Sequence, residues 1–159
     1  MILSAQTILS RQYMTPIFVP FHHPQQVAFG LTYGLGPAGY DIRIAENVWL
    51  EPHSFKLASS YEHICIPDDL IAFVKDKSTW ARLGLAVQNT VIEPGWQGYL
   101  TIELSNHSQR RLEIVKRSPI AQIILQMLDQ PTTLPYKGRY QNQGPGAHAA
   151  RLITEDDVK

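Results

Sequence analysis

From residue 48 to residue 128 the chain offers strand-forming residues only in short runs. They fall at 48–50, 55–57, 63–66, 71–74, 84–87, 99–104, 112–115 and 121–128. Between them stand Glu51-Pro52-His53, Pro67-Asp68-Asp69, Pro94-Gly95 and Asn106-His107-Ser108. Proline breaks helix and gives a ladder no donor, while glycine, aspartate and asparagine favour turns. No run is long enough for the helical periodicity that a buried helix needs. This punctuation constrains the fold to an all-β sandwich or barrel with Greek-key character.

The two ends read differently. Residues 4–14 (SAQTILSRQYM) open on a capping serine and suit one short helix. Pro16, Pro20 and Pro24 then forbid helix and imply an extended arm. Gly34, Gly36, Pro37 and Gly39 form a glycine-rich turn into a strand at 40–44. The G-x-G-x-x-G spacing of a dinucleotide fingerprint is missing there. Beyond Pro135 the chain turns polar and glycine-rich. The domain is therefore expected to be a single barrel with its helix and arm over 1–135, followed by a tail over 136–159. Such a tail cannot pack a core of its own. It is either disordered decoration or a flap that closes over a ligand.

Fourteen Lys plus Arg balance fourteen Asp plus Glu, so nothing argues for bulk nucleic-acid or membrane-surface binding. The single cysteine, Cys65, excludes an intrachain disulfide. No apolar run approaches the roughly 20 residues of a membrane span. The N-terminus has no basic stretch followed by an apolar one, so a cytoplasmic location is expected.

Two clusters carry chemistry. Ser78 and Arg82 are four apart and share a face on a helical turn, with Lys77 beside them and Gly84 giving a tight exit. Cations with a hydroxyl suit an oxyanion such as phosphate, although a helix start beside a surface arginine has the same pattern. Glu103 sits in an alternating segment, on the face of Tyr99 and Thr101 and opposite Leu100, Ile102 and Leu104. It is either a solvent-facing edge residue or a proton carrier whose pKa rises with desolvation. Asp41 and Arg43 also share a face, as a structural ion pair or as groups that shape a site. His22-His23 lacks a Cys or carboxylate at ligand spacing.

The order of these features resembles the dCTP deaminase branch of the dUTPase-like superfamily. Ala38-Gly39-Tyr40-Asp41-Ile42-Arg43 looks like its first motif. Ile66-Pro67-Asp68-Asp69-Leu70 and Lys77-Ser78-Thr79-Trp80-Ala81-Arg82-Leu83-Gly84-Leu85 resemble the "RSSLARLGL" region. Ile92-Glu93-Pro94-Gly95-Trp96-Gln97-Gly98 with Thr101-Ile102-Glu103-Leu104 and Asn106 resembles "IDPGWxG…LEFxN". Pro119-Ile120-Ala121-Gln122-Ile123 matches a "PIAQ" strand. Arg139-Tyr140-Gln141-Asn142-Gln143, Gly146 and Arg151 resemble the C-terminal "KYxxQxG…SR".

The resemblance implies a distorted β-barrel or jelly-roll subunit forming a homotrimer with active sites between subunits, a deoxynucleotide triphosphate (dCTP or dUTP) as ligand, and magnesium held through its phosphates. It places Ser78 and Arg82 on phosphate and active-site water, with Lys77 in place of the usual Arg. Glu103 falls on the deaminase general acid/base. Tyr136, Arg139 and Gln143 fall on the sugar, phosphate and base contacts of the tail. Glu93 stands where the family has Asp, and Asn89, in Gln88-Asn89-Thr90-Val91, where a small residue lends backbone contacts to the base. The H-x-E and P-C-x-x-C pattern of zinc deaminases is absent. A zinc-free deaminase making dUTP from dCTP is the leading expectation. A dUTP pyrophosphatase or bifunctional enzyme, and a non-catalytic nucleotide-binding regulator, are the alternatives.

Overall fold

The structure, a computed structural model, describes residues 1–152. Helix α1 (Ala5–Met14) opens the chain as expected, and buries Ile8 and Gln12. Gln12 anchors the arm that follows, accepting from the Ile17 and Phe18 amides and donating to the Phe18 carbonyl. Strands β1 (Phe18–Val19), β2 (Gln26–Ala28), β3 (Leu31–Gly36) and β4 (Gly39–Arg43) come next. Then follow β5 (Val48–Leu50), β6 (Phe55–Cys65), β7 (Leu70–Asp76) and helix α2 (Ser78–Arg82). Strands β8 (Leu85–Val87), β9 (Val91–Ile92), β10 (Gln97–Asn106), β11 (Leu112–Ile114) and β12 (Pro119–Met127) complete the order.

Every strand pair is antiparallel. One sheet runs β2-β3-β4-β12-β7-β9, a second β1-β6-β10-β8, and a small third pairs β11 with β5. The all-β barrel-like architecture expected from the punctuation is present. Alternating apolar residues of β12 and β10 supply its centre, with Ile102, Leu104, Ile123 and Leu125 essentially without exposure. Among the described residues no helix is long and apolar enough to cross a membrane.

The expected turn over 34–39 is narrower than the glycines suggested. Gly36 pairs with Gly39, so only Pro37-Ala38 makes the turn and Gly34 belongs to β3. The separate runs at 55–57 and 63–66 are one strand, β6. Its middle, Ala58-Ser59-Ser60, is fully buried, because both serine hydroxyls are satisfied internally. Ser60 donates to the Glu62 carbonyl and accepts from the Leu100 amide. There the β6–β10 register jumps from Tyr99↔His63 to Thr101↔Ser59.

Asp41 and Arg43 do not pair with each other. Asp41 holds Lys77 at 2.7 Å, and Arg43 holds Glu62 at 2.7 Å. The cause is topological. In the 6-stranded sheet Asp41 reaches the end of β7, whereas the bridge Ile44↔Ser60 brings the chain beyond Arg43 against β6. His22 places Nε2 2.9 Å from the Arg43 guanidinium. Arg43 is further sandwiched by the rings of Tyr33 and Tyr61.

Candidate active site

The register jump between β6 and β10 shapes a cavity of about 450 Å³. Its walls combine Phe55 and Leu57 of β6, Leu100, Thr101 and Glu103 of β10, and the strand-edge residues Thr90, Val91, Ile92 and Glu93. Tyr136, Tyr140, Gln143, His148 and Ala150 close it from the C-terminal segment. Strict alternation would place Leu100 away from Glu103 and Tyr99 beside it. The irregularity reverses this: Leu100 lines the cavity, while Tyr99 packs edge-on against His63.

Glu103 lies opposite Leu57 on β6, and its backbone carbonyl accepts from the Gln88 amide. Burial among these apolar walls pushes its carboxyl above the ordinary glutamate range, and its own backbone N–H draws it part of the way back. None of the ion pairs among the described residues involves it. A half-buried carboxylate in an apolar wall holds a proton more readily than an exposed one, which suits it to take up and release a proton.

The C-terminal segment is stitched to 94–101 residue by residue. Tyr136 donates its amide to the Pro94 carbonyl, and the Trp96 indole donates to the Tyr140 carbonyl at 2.7 Å. Gln141 accepts from the Gln97 amide and donates to the Gly95 carbonyl. Gly98 and Gln143 form a parallel bridge, possible because Gly98 sits at φ 146°. A Cβ there would lie 2.7 Å from the Gln143 nitrogen. Thr101 donates to Gln143 Oε1 at 3.1 Å. The tail expected over 136–159 is thus docked on its own subunit as far as it is described. Residues 153–159 lie outside the described part.

Of the candidates named from sequence, the fold brings together Glu103, Glu93, Tyr136 and Gln143. Lys77, Ser78, Arg82, Asn89 and Arg139 are not among the lining residues. Ser78 and Arg82 do share one helical turn, α2, and both are exposed, with Arg82 donating to the Ser78 carbonyl. Lys77 is engaged by Asp41 and Thr32. Asn89 is exposed, and Arg139 donates to the Arg151 carbonyl. Trp96, Thr101 and Tyr140 stand in the quoted motifs without an assigned role, and His148 stands in none. They join the site through long-range contacts that no local pattern encodes. Among the described residues no group of three or more His, Cys, Asp or Glu is placed to hold a metal ion.

Comparison with known proteins shows the family. Residues 38–128 match the family described as dCTP deaminase-like. A dCTP deaminase of Acidobacterium capsulatum is 30% identical, covering 85% of this chain and 91% of that protein. One from Roseiflexus castenholzii is 33% identical, covering 86% and 90%. A Persephonella marina protein named "dCTP deaminase, dUMP-forming" is 35% identical over 70% of this chain and 62% of its own length. The dUTPase of Staphylococcus bacteriophage 80alpha shares the fold at a TM-score of 0.57 and 19% identity, covering 74% of this chain and 90% of that one. The native EIAV dUTPase does so at 0.53 and 19%, covering 64% and 84%.

Proposed function

This chain belongs to the dCTP deaminase family of the dUTPase-like superfamily, and we propose that it converts dCTP and water to dUTP and ammonia without zinc. The observation that carries the proposal is Glu103, a carboxyl raised by burial in the wall of a cavity roofed by the C-terminal segment. Deamination at C4 needs a proton taken from water as its oxygen adds to C4. That proton goes to N3, and the former water's second proton, taken from the C4 hydroxyl as C4=O forms and the C–N bond breaks, goes to the departing nitrogen. A single carboxyl raised above its ordinary range can carry both in turn, because each delivery returns it to the carboxylate that the next abstraction requires.

The remaining residues bind and orient. In this proposal Gln143, with its carbonyl oxygen engaged by Thr101, keeps its amide N–H groups for a base edge. Tyr136 offers a ring for the sugar, and Arg139 a cation for phosphate. Magnesium favours phosphate oxygens and water, so it would be held through the triphosphate, where it would offset part of the phosphate charge. Ser78, Arg82 and Lys77 lie outside the lining of this subunit's cavity. We assign them to a neighbouring copy's site in a homotrimer, where they meet phosphate and water.

A second reading is favoured by the Persephonella relative, whose name specifies dUMP as product. With Glu93 at the cavity mouth, release of pyrophosphate from dUTP would follow deamination on the same site. Incubation with dCTP, and separately with dUTP, plus magnesium decides between the two when ammonia and pyrophosphate are measured independently. Glu103→Gln is expected to lower ammonia release by about a hundredfold or more while nucleotide binding stays within a few-fold. Near-normal turnover in that variant would remove Glu103 from the mechanism. A zinc-selective chelator should leave activity intact once magnesium is restored, and loss rescued by zinc alone would refute the zinc-free route.

A further inference from the structure

His148 has no part in the chemistry above, yet it enters the wall of the cavity that holds Glu103. Its backbone N–H donates to Thr101 Oγ1 at 3.0 Å, two positions before Glu103 on β10. Its ring spans two points of the C-terminal segment, with Nε2 3.1 Å from the Gly144 carbonyl and Nδ1 3.4 Å from an Arg151 guanidinium nitrogen.

These partners decide the tautomer. A guanidinium has donors only and a carbonyl accepts only. Nδ1 must therefore accept from Arg151, and Nε2 must carry the hydrogen given to Gly144. The ring is neutral in this arrangement, since a second proton on Nδ1 would point at the Arg151 cation.

Arg151 in turn donates to the Arg139 carbonyl at 2.8 Å, while Arg139 donates back to the Arg151 carbonyl. The Arg151 amide also donates to the Tyr140 hydroxyl. His148 thus joins the reciprocal Arg139–Arg151 pair, through its ring, to the strand that carries Glu103, through its backbone N–H. Thr101 is the shared post: it accepts from the His148 amide and donates to Gln143.

We propose that His148 is a positioning residue of the nucleotide site. Its imidazole ties Gly144 to Arg151 while its backbone N–H rests on Thr101, and so it fixes where Gln143 and Arg139 are presented. This rests on the cavity being the nucleotide site, but the lock itself can be measured without nucleotide.

The test compares wild type, His148→Ala and His148→Gln in the full chain. Glutamine keeps one donor and one acceptor at the end of its side chain, so it can serve Gly144 and Arg151 together, whereas alanine serves neither. Hydrogen exchange of the 142–151 amides, without ligand, should speed up by about tenfold in His148→Ala and return toward wild type in His148→Gln. With dCTP and magnesium, KM in His148→Ala should rise by about tenfold with kcat within a few-fold, again recovered by glutamine. Exchange in His148→Ala equal to wild type would overturn the proposal, as would a glutamine variant as impaired as the alanine one. A fall in kcat alone, with KM and exchange unchanged, would also overturn it. If the wild-type protein does not turn over dCTP, the deaminase reading fails while the exchange measurement still decides the lock.

Discussion

Arg43 grips one buried carboxylate twice: its Nε donates to Glu62 Oε1 at 2.7 Å, and its backbone N–H donates to Glu62 Oε2 at 2.8 Å. Glu62 has no exposure, and burial still holds its carboxyl above the ordinary range despite the guanidinium. The pair fastens the end of β4 to β6 just where β6 leaves its register with β10. It therefore supports the irregularity that opens the Glu103 cavity.

Removing one partner leaves the other charge buried and unpaired. Glu62→Ala is expected to destabilise the fold by roughly 3–5 kcal/mol, seen as a lower denaturation midpoint in urea. A variant within about 0.5 kcal/mol of wild type would show that water or rearrangement satisfies Arg43, and that the pair does not hold the strands.

Glu103 gives a pH signature of the opposite kind. Burial raises its folded pKa, while in the unfolded chain it ionises in the ordinary range. Between those values the folded state keeps a proton that the unfolded state has lost. The contribution of Glu103 to stability is therefore fully present below the unfolded pKa and is lost as pH rises through the folded one. Glu103→Gln has no proton to lose. It should match wild type below about pH 4 and be the more stable protein at pH 7, even as it loses turnover. Melting curves at the two pH values check this, and a variant less stable at pH 7 would contradict it.

Gly98 is where the C-terminal segment meets β10. In Gly98→Ala the added Cβ would lie 2.7 Å from the Gln143 nitrogen and 2.9 Å from its oxygen, both backbone atoms that cannot simply swing away. The variant should keep its barrel but release the segment, raising the KM for dCTP about as much as truncation after Pro135 does. Truncation has one further effect. Trp96 is only 5% exposed and hydrogen-bonds the Tyr140 carbonyl, so losing the segment should red-shift tryptophan emission. Unchanged KM in both proteins would reject a closing role for the segment.

If Arg82 serves a neighbouring copy's cavity, two dead subunits can complement each other. Glu103→Gln and Arg82→Ala proteins, each inactive alone, should regain about a quarter of wild-type activity when unfolded together and refolded at equal amounts, as random mixing between two contributing subunits requires. No recovery, with mixed oligomers confirmed by mass, would place Arg82 and Glu103 in the same subunit's site.

Much of this protein is local, and so was legible in the sequence. Proline and glycine punctuation set the short strands, Ser78 and Arg82 fall on one helical turn, and Pro94-Gly95 makes the turn that delivers Glu103 onto β10. Those outcomes depend on residues within a few positions of one another, where dihedral preference and side-chain period decide. What local pattern misjudged depended on partners far along the chain. The runs at 55–57 and 63–66 read as two strands but are one, β6, because Glu62 and Leu100 satisfy the Ser60 hydroxyl between them. Asp41 and Arg43 read as a pair but were separated by the strands that arrive beside them, one taking Lys77 and the other Glu62. The polar tail showed no means of packing in its own composition. Its hydrogen bonds run 44 to 47 residues back to Trp96, Gln97 and Thr101, and only the folded β10 lines those acceptors and donors up. Sequence alone determined that a carboxylate stands in an alternating, strand-forming segment downstream of a cluster of cations and a hydroxyl. Tertiary structure decided which face that carboxylate takes and what roofs it, because burial and long-range hydrogen bonds exist only once the strands have met.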